Sequence, residues 1–495
     1  MEVQTNFNIT ELFYKTCKAF PERYAIIEEN KAVSFHQLEQ EVKNTIAYFE
    51  KKGIKKGDRI LVFVGMGIDL YRIVLAIFSM GAVAVFVDEW VSVKRLSMCC
   101  KIAKCKAFVA PLPYRIVGLF ISEIRKIPVF LHPAKKIAYT TQNALKPTQA
   151  SDSALITFTT GTTGIPKAAD RSHEFLKVQF DALHPLLKGQ VSMTMLPVVL
   201  LLHLGLGITS VIAAFKSSKP KSFDAKKILA QIKKHKVDSM IASPFYLLQL
   251  ADAVHEQTTL QHIISGGAPV FASDAEKISK AFDNTKFTIV YGSTEAEPIS
   301  KCEANEVTEN KNTFGLLAGK PVPSVLLKII SAQYLPQTTE KELSRLELQK
   351  GNIGEIIVSG KAVNTSYTDN PQAVAENKIK TEQTTWHRTG DSGYLDEKGQ
   401  LFLTGRTSQI IHHNEKIYYP FVIENRLKNI EGVTAGTLLL VKNKLILALC
   451  TTNFFNEKNI SDFEYDEIRY FTSLPLDPRH HSKIDYRKLA RNNYI

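Results

Sequence analysis

The chain has 495 residues, 44% hydrophobic and 22% charged, which excludes a disordered or fibrous protein and requires at least two domains. Its net charge of +13 admits a nucleic acid, an anionic surface or a polyanionic small molecule as partner. The basic residues read as scattered, and without a zinc finger, an RNP motif or a basic heptad region no nucleic acid is expected.

In chain order, residues 9–20 predict an amphipathic helix, and 24–28 with 32–34 a short hairpin leading into a helix over 35–52. Residues 58–65 predict a buried strand, 68–78 a helix, and 82–87 another short β-rich run. Further strand-like runs stand at 107–110, 192–195, 239–242, 262–265 and 288–291, between helical patterns, which is the signature of an α/β architecture. Residues 331–351 form a polar surface insertion. Residues 354–359 and 401–404 read as strands of a more β-rich region, with turns at 391–394 and 396–399. Past Gly405 the pattern becomes a small α+β unit. The expected fold is therefore α/β: a large N-terminal domain of several subdomains, 1–404, and a small mobile α+β C-terminal domain, 405–495.

Two features invite other readings. The six cysteines are too few for a disulfide framework, and Cys99, Cys100 and Cys105 lack a second CxxC pair or nearby histidines, so buried thiols are expected. Residues 191–215 contain no Asp, Glu, Lys or Arg and pass the length test for a membrane helix. Pro197, His203, Gly205 and Gly207 interrupt the run, which fits a buried strand–loop–helix or the wall of an apolar substrate tunnel better. No integral membrane segment is expected. The first ten residues show no basic-then-apolar signal, so the expected location is cytoplasmic.

The strongest chemical feature is the run 156–167, an apolar strand leading into Thr159, Thr160, Gly161, Thr162, Thr163 and Gly164, and ending in Lys167. Glycines let backbone N–H groups approach phosphate oxygens, hydroxyls add donors and Lys167 adds charge. No GxxxxGK[ST] is present, so this is not a Walker A loop.

With this run the chain resembles the adenylate-forming superfamily of acyl-CoA synthetases, peptide-synthetase adenylation domains and luciferases. Other motifs follow in that family's order: Ser265-Gly266-Gly267-Ala268-Pro269, Tyr291-Gly292-Ser293-Thr294-Glu295, Thr389-Gly390-Asp391, Gly405-Arg406, and 478–489 with Lys483. The resemblance covers essentially the whole chain and implies ATP and Mg2+ as cofactors. It assigns Gly267, Ala268, Pro269 and the aromatic face of Tyr291, with Gly292, to adenine. Thr294 reaches the α-phosphate, Glu295 ligates the metal, Asp391 accepts from the ribose hydroxyls, and Arg406 adds a ribose or phosphate contact. Lys483 neutralises charge developing between the attacking carboxylate and the α-phosphate. Nucleotide is expected at the junction of the two domains, with Lys483 brought in by the small one. No covalent enzyme intermediate is implied.

The second step is less uniform across the family. Acyl-CoA synthetases often carry His or an aromatic residue three positions after the proline of the acyl-pocket motif. Here Pro197 is followed by Val198, Val199 and Leu200. The run through Pro197, Leu200, His203 and Gly207, together with 291–298 and with Arg479 and His480 before Lys483, resembles the β-lactone synthetases of bacterial olefin biosynthesis. Those four residues are assigned to the acyl pocket. That resemblance implies a long-chain 2-alkyl-3-hydroxy acid whose own hydroxyl displaces AMP, with other enzymes of the pathway supplying the acid. Ser408 stands where the hinge residue is usually Asp or Lys, Glu415 where the family usually has Gly, and Ser482 replaces the glycine before the lysine. A glutamate in that loop would repel an anionic thiol acceptor. The alternatives are an AMP-forming ligase that transfers the acyl group to coenzyme A or to a carrier protein, and a nucleotide-binding protein without turnover.

Overall fold

A computed structural model describes residues 6–87, 91–138, 144–159, 166–215, 222–333, 335–477 and 482–491. The chain is mixed α/β, with a large N-terminal domain and a smaller C-terminal one. Its contacts define two compact units: Met1–Ile241 with Thr258–Gln261 and Lys361–Lys378, and Ala242–Gln257 with His262–Gly360 and Ile379–Ile495.

The first unit carries a six-stranded sheet in the order Val129–Leu131, Ala107–Val109, Arg59–Val62, Val83–Phe86, Ser153–Thr159, Lys167–Ser172. All neighbours are parallel except the last pair, a hairpin with Thr159 opposite Lys167. Such strands are buried on both faces, which explains their continuous apolar runs. The unit's other strands include Val191–Thr194, Thr209–Ile212 and Tyr24–Glu28, all parallel, with Lys31–Ser34 antiparallel at the edge. The helix Phe35–Lys51 follows that edge strand through a capping box made by Ser34 and Gln37.

The interrupted apolar run resolves as the strand Val191–Thr194, the helix Pro197–Leu206 and the strand Thr209–Ile212. Pro197 starts the helix at its first turn and Gly207 ends it in the left-handed region at φ +76. Among the described residues no helix is long and apolar enough to cross a membrane. All six cysteines are free and buried. Burial pushes the thiols of Cys100 and Cys105 up to about 12, which leaves them inert at neutral pH.

The second unit carries His262–Ser265 parallel to Lys286–Ser293, then an antiparallel run through Ala296–Glu303, Leu316–Pro321, Leu401–Arg406, Thr385–Leu395, Gly354–Ser359 and Leu326–Ile330. The expected turn at 391–394 is a correction: these residues lie inside the strand Thr385–Leu395. Gly393 is there because a Cβ would stand 2.3 Å from the Phe402 carbonyl oxygen of the paired strand, at a register shift between Ser392 and Gly393. The expected surface insertion also differs in part. It contains the helix Glu340–Leu346, whose Leu343 is fully buried against Ile330, Ile357, Ile379 and Trp386.

The smaller C-terminal domain packs the helix Pro420–Lys428 on the sheet Val433–Val441, Lys444–Thr451, Glu467–Tyr470, around Ile423, Leu427, Leu438, Leu447 and Leu449. Glu424 of this helix is buried and accepts hydrogen bonds from the hydroxyls of Thr437, at 3.2 Å, and Tyr486. Burial pushes its carboxyl up to about 7, so the fold favours the protonated acid. That preference stabilises fully below the unfolded value near 4.5 and is lost as the pH rises through about 7. Glu424→Gln should therefore flatten the pH dependence of unfolding across that window by on the order of 3 kcal/mol. Thermal melts at about pH 5 and about pH 8 read it, and parallel profiles for the two proteins would remove Glu424 as the cause.

Candidate active site

The motif 291–295 owes its geometry to a strand bulge and a tight hairpin. Lys286–Ser293 pairs with Ala296–Glu303 so that Ser293 faces Ala296, leaving Thr294 and Glu295 as the two turn residues. The register shifts between Tyr291 and Ser293. At Gly292 an added Cβ would stand 3.0 Å from the Ala296 carbonyl oxygen and 3.2 Å from Glu297, so a side chain would push the hairpin open. Thr294 is partly exposed and Glu295 is buried.

Tyr291 donates its hydroxyl to Asp391 Oδ2 at 2.7 Å. Arg406 Nε lies 3.2 Å from Asp391 Oδ1, and the same guanidinium donates through an Nη to the Thr389 carbonyl at 2.9 Å. Thr389 is itself anchored, donating to the Ile356 carbonyl at 2.8 Å and accepting from the Asp391 amide at 3.1 Å. The strand pairing that sets Asp391 opposite Arg406 makes the ion pair a property of the backbone register. Asp391, with Tyr291 and Glu295 nearby, holds the guanidinium above its usual range. Burial, reinforced by Asp391, pushes the Tyr291 phenol well above its usual range. Each carboxylate oxygen has two acceptor sites, so Asp391 keeps capacity for further donors after both contacts are made.

Beside this cluster the strand His262–Ser265 ends in the partly exposed residues Gly266, Gly267, Ala268 and Pro269. A Cβ on Gly266 would lie 3.1 Å from the Val290 carbonyl oxygen, and Gly267 takes φ +82. The buried hydroxyls of Ser265 and Ser293, at the carboxyl ends of two of this unit's strands, have no hydrogen-bond partner among the described residues. Orphaned polar groups at the carboxyl ends of strands fit a polar ligand there. An aromatic ring, an acceptor carboxylate, a guanidinium and an acidic turn residue suit a nucleotide carrying a divalent cation.

The phosphate-loop residues Thr160, Gly161, Thr162, Thr163 and Gly164 lie outside the described residues, as do Arg479 and His480. The ends of that loop are described. Thr159 closes one strand of the hairpin, and Lys167 opens the other. Lys167 is buried, donates to Asn377 Oδ1 at 2.6 Å and stands 5.8 Å from the Tyr367 ring centre. The fully buried Lys378 approaches the same ring at 5.0 Å and donates to the Asn364 carbonyl. Sequence reasoning missed Asn377, Tyr367 and Lys378. The local signal was the helix Pro371–Asn377, capped by Asn370 with Pro371 in its first turn, which places Asn377 at its end.

Lys483 lies in the smaller domain, beside Asp477. Asp477 Oδ1 accepts the amides of Ser482 at 3.3 Å and Lys483 at 3.0 Å, and the Asp477 amide donates to the Lys483 carbonyl at 2.8 Å. Leu476 pairs with Ile484 just beyond. Of the acyl-pocket residues, Pro197 is exposed at the helix start and Leu200 is buried in the core of the first unit. His203 is buried, with Nδ1 3.0 Å from Ser210 Oγ, and burial lowers it to about 3, so the ring is neutral.

The hairpin Ile411–His413, Lys416–Tyr418 turns on Asn414 at φ +47 and Glu415 at φ +61. Two successive left-handed residues form the turn for which Asn-Gly is preferred. Glu415 thus occupies a glycine position with a side chain that disfavours it. Glu415→Gly should stabilise the domain by up to about 1 kcal/mol, read as a raised denaturation midpoint. A lower midpoint would show that the carboxylate is held by contacts worth more than the strain.

Fold and site together define an adenylate-forming enzyme, an acid ligase. Residues 13–368 match the AMP-binding enzyme model, and the chain belongs to that family. It is 25% identical to an olefin β-lactone synthetase of Stenotrophomonas maltophilia, over 92% of this chain and 90% of that one. It is 27% identical to a 2-succinylbenzoate–CoA ligase of Bacillus licheniformis, over 82% and 80%. The o-succinylbenzoate CoA synthetase of Bacillus subtilis, solved with ATP and magnesium, shares the fold with a TM-score of 0.81 at 20% identity, over 98% of this chain and 100% of that one.

Proposed function

We propose that this enzyme uses ATP and magnesium to convert a long-chain 3-hydroxy acid into its acyl-adenylate, and that the substrate's own hydroxyl then closes a β-lactone. The adenylation half rests on the Tyr291–Asp391–Arg406 cluster. In this reading Tyr291 stacks on adenine, Asp391 accepts from the ribose, and Arg406 holds the Asp391 carboxylate in orientation. Thr294 and the loop 159–164 bind phosphate, and Lys167 supplies charge to it. Glu295 would hold magnesium, which when bound would supply positive charge to offset that of the phosphates. Lys483 comes from a C-terminal domain beginning at Gly405, and neutralises charge at the α-phosphate as the carboxylate attacks in line and pyrophosphate leaves.

The lactone half is carried by Glu415. A carboxylate at the tip of the hinge-loop hairpin, in a left-handed position that glycine fits better, opposes an anionic thiol acceptor. One relative, 25% identical, is an olefin β-lactone synthetase, which supports this reading. Closure needs no second substrate: the 3-hydroxyl oxygen attacks the acyl carbon, the acyl–phosphate bond breaks and AMP departs. Pro197, Leu200 and His203 belong to the helix assigned to the acyl group, and Gly207 caps its end. Neutral His203 suits an aliphatic environment.

The test is product analysis by NMR or mass spectrometry with ATP, magnesium and a long-chain 3-hydroxy acid, with and without CoA. A CoA-independent product lighter than the acid by one water supports the proposal. A strictly CoA-dependent thioester makes the enzyme an acyl-CoA ligase, the second reading, favoured by the CoA-ligase relative.

A further inference from the structure

The basic residues are not evenly spread. Residues 91–127 contain eight Lys and Arg against one acid, Glu123. The segment forms the helix Val93–Ala103, the strand Ala107–Val109 and the helices Leu112–Gly118 and Ser122–Arg125 of the first unit. Its inner face is ordinary core: Cys99, Cys100, Phe108, Ile121 and Ile124 are buried together. Its outer face is not. Leu112, Tyr114, Ile116, Val117 and Leu119 are each about half exposed, and Phe120 is 85% exposed. Six large apolar side chains within nine residues form the kind of patch that soluble surfaces rarely leave uncovered. Gly118 lets the turn bring this face close to the next helix, since a Cβ there would stand 2.9 Å from Ile124.

The charge around the patch identifies what covers it. Lys94, Lys101, Arg125 and Lys126 are exposed on the flanking helices, and Lys126 bonds the lone acid at 2.7 Å. Lys104 bonds Asp369 at 3.0 Å. Apolar residues beside helices on which exposed cations outnumber acids match the boundary of an anionic bilayer: side chains enter the acyl region while ammonium and guanidinium groups meet lipid phosphates. We propose that the face 112–120 docks this enzyme peripherally on anionic membrane surfaces. No spanning helix is needed, and the surface is independent of which acid is activated.

Sedimentation of the full chain with vesicles tests it. Vesicles of phosphatidylcholine containing about one third phosphatidylglycerol should bind the protein about tenfold more tightly than phosphatidylcholine alone. Raising salt from about 0.1 M to about 0.5 M should weaken that binding. The double variant Leu119→Ser, Phe120→Ser should lose it, and Lys94→Glu with Arg125→Glu should lose the preference for anionic lipid. Both variants replace exposed side chains, and unchanged melting confirms their fold. Absent binding, equal binding to both vesicle types, or unaltered binding by the variants overturns the proposal. Self-association that disappears in the serine variant, without vesicle binding, would assign the face to a second copy of the chain and also overturn it.

Discussion

Lys483→Ala should abolish adenylate formation while leaving ATP binding largely intact. Asp477 Oδ1 accepts the backbone amides of Ser482 and Lys483, contacts that truncating the Lys483 side chain leaves in place. Removing a positioned charge from a transition state costs on the order of 10²- to 10³-fold in rate. Most of that loss should fall on the chemical step, because the charge acts where the carboxylate and α-phosphate meet. Acid-dependent exchange of radiolabelled pyrophosphate into ATP measures the rate, and calorimetry with ATP measures binding. Near-normal exchange in the variant would remove Lys483 from the mechanism. Equal losses in exchange and ATP binding would make it a ground-state contact.

Asp391→Ala should strike nucleotide binding instead. The substitution leaves both the Tyr291 hydroxyl and the Arg406 guanidinium without their acceptor and removes the proposed ribose contact. Losing hydrogen bonds to a charged group costs about 1.5–3 kcal/mol, or roughly 10- to 150-fold in ATP affinity. Asp391→Asn keeps an acceptor for Tyr291 but loses the charge facing Arg406, so its affinity should fall between the two. Tyr291→Phe keeps the ring and loses one donor, and should be the mildest of the three. Unchanged ATP affinity in Asp391→Ala would break the proposed assignment of the cluster.

The particular elements show where sequence was sufficient. The strands Ser239–Ala242, His262–Ser265 and Gly354–Ser359 occur where apolar runs bounded by breakers predict them, because buried strands need little beyond continuous β-rich apolar sequence. The run 191–215 was legible only in part: its breakers argued against one long helix, but the order is strand–helix–strand and not strand–loop–helix, because Pro197 starts a helix and Gly207 ends it. The turn expected at 391–394 failed because glycine has two meanings. Gly393 permits two strands to approach, a requirement set by Phe402 on a partner strand. The motif 291–295 was visible as chemistry, whereas its bulge and its hydrogen bond to Asp391, 100 residues away, depend on tertiary register. The seat of Lys167 lies further still, 210 residues along the chain at Asn377. Clustering of charge was missed because 91–127 has no regular period; only the folded surface separates its buried apolar face from its exposed one.

Acid-dependent exchange of labelled pyrophosphate into ATP, with magnesium, a long-chain 3-hydroxy acid and no CoA, tests the central claim most directly. The account predicts exchange that requires the acid, proceeds without CoA and vanishes in Lys483→Ala. Absence of exchange with this and every other carboxylic acid tried, in protein that still binds ATP, would contradict it and leave a nucleotide-binding protein without turnover.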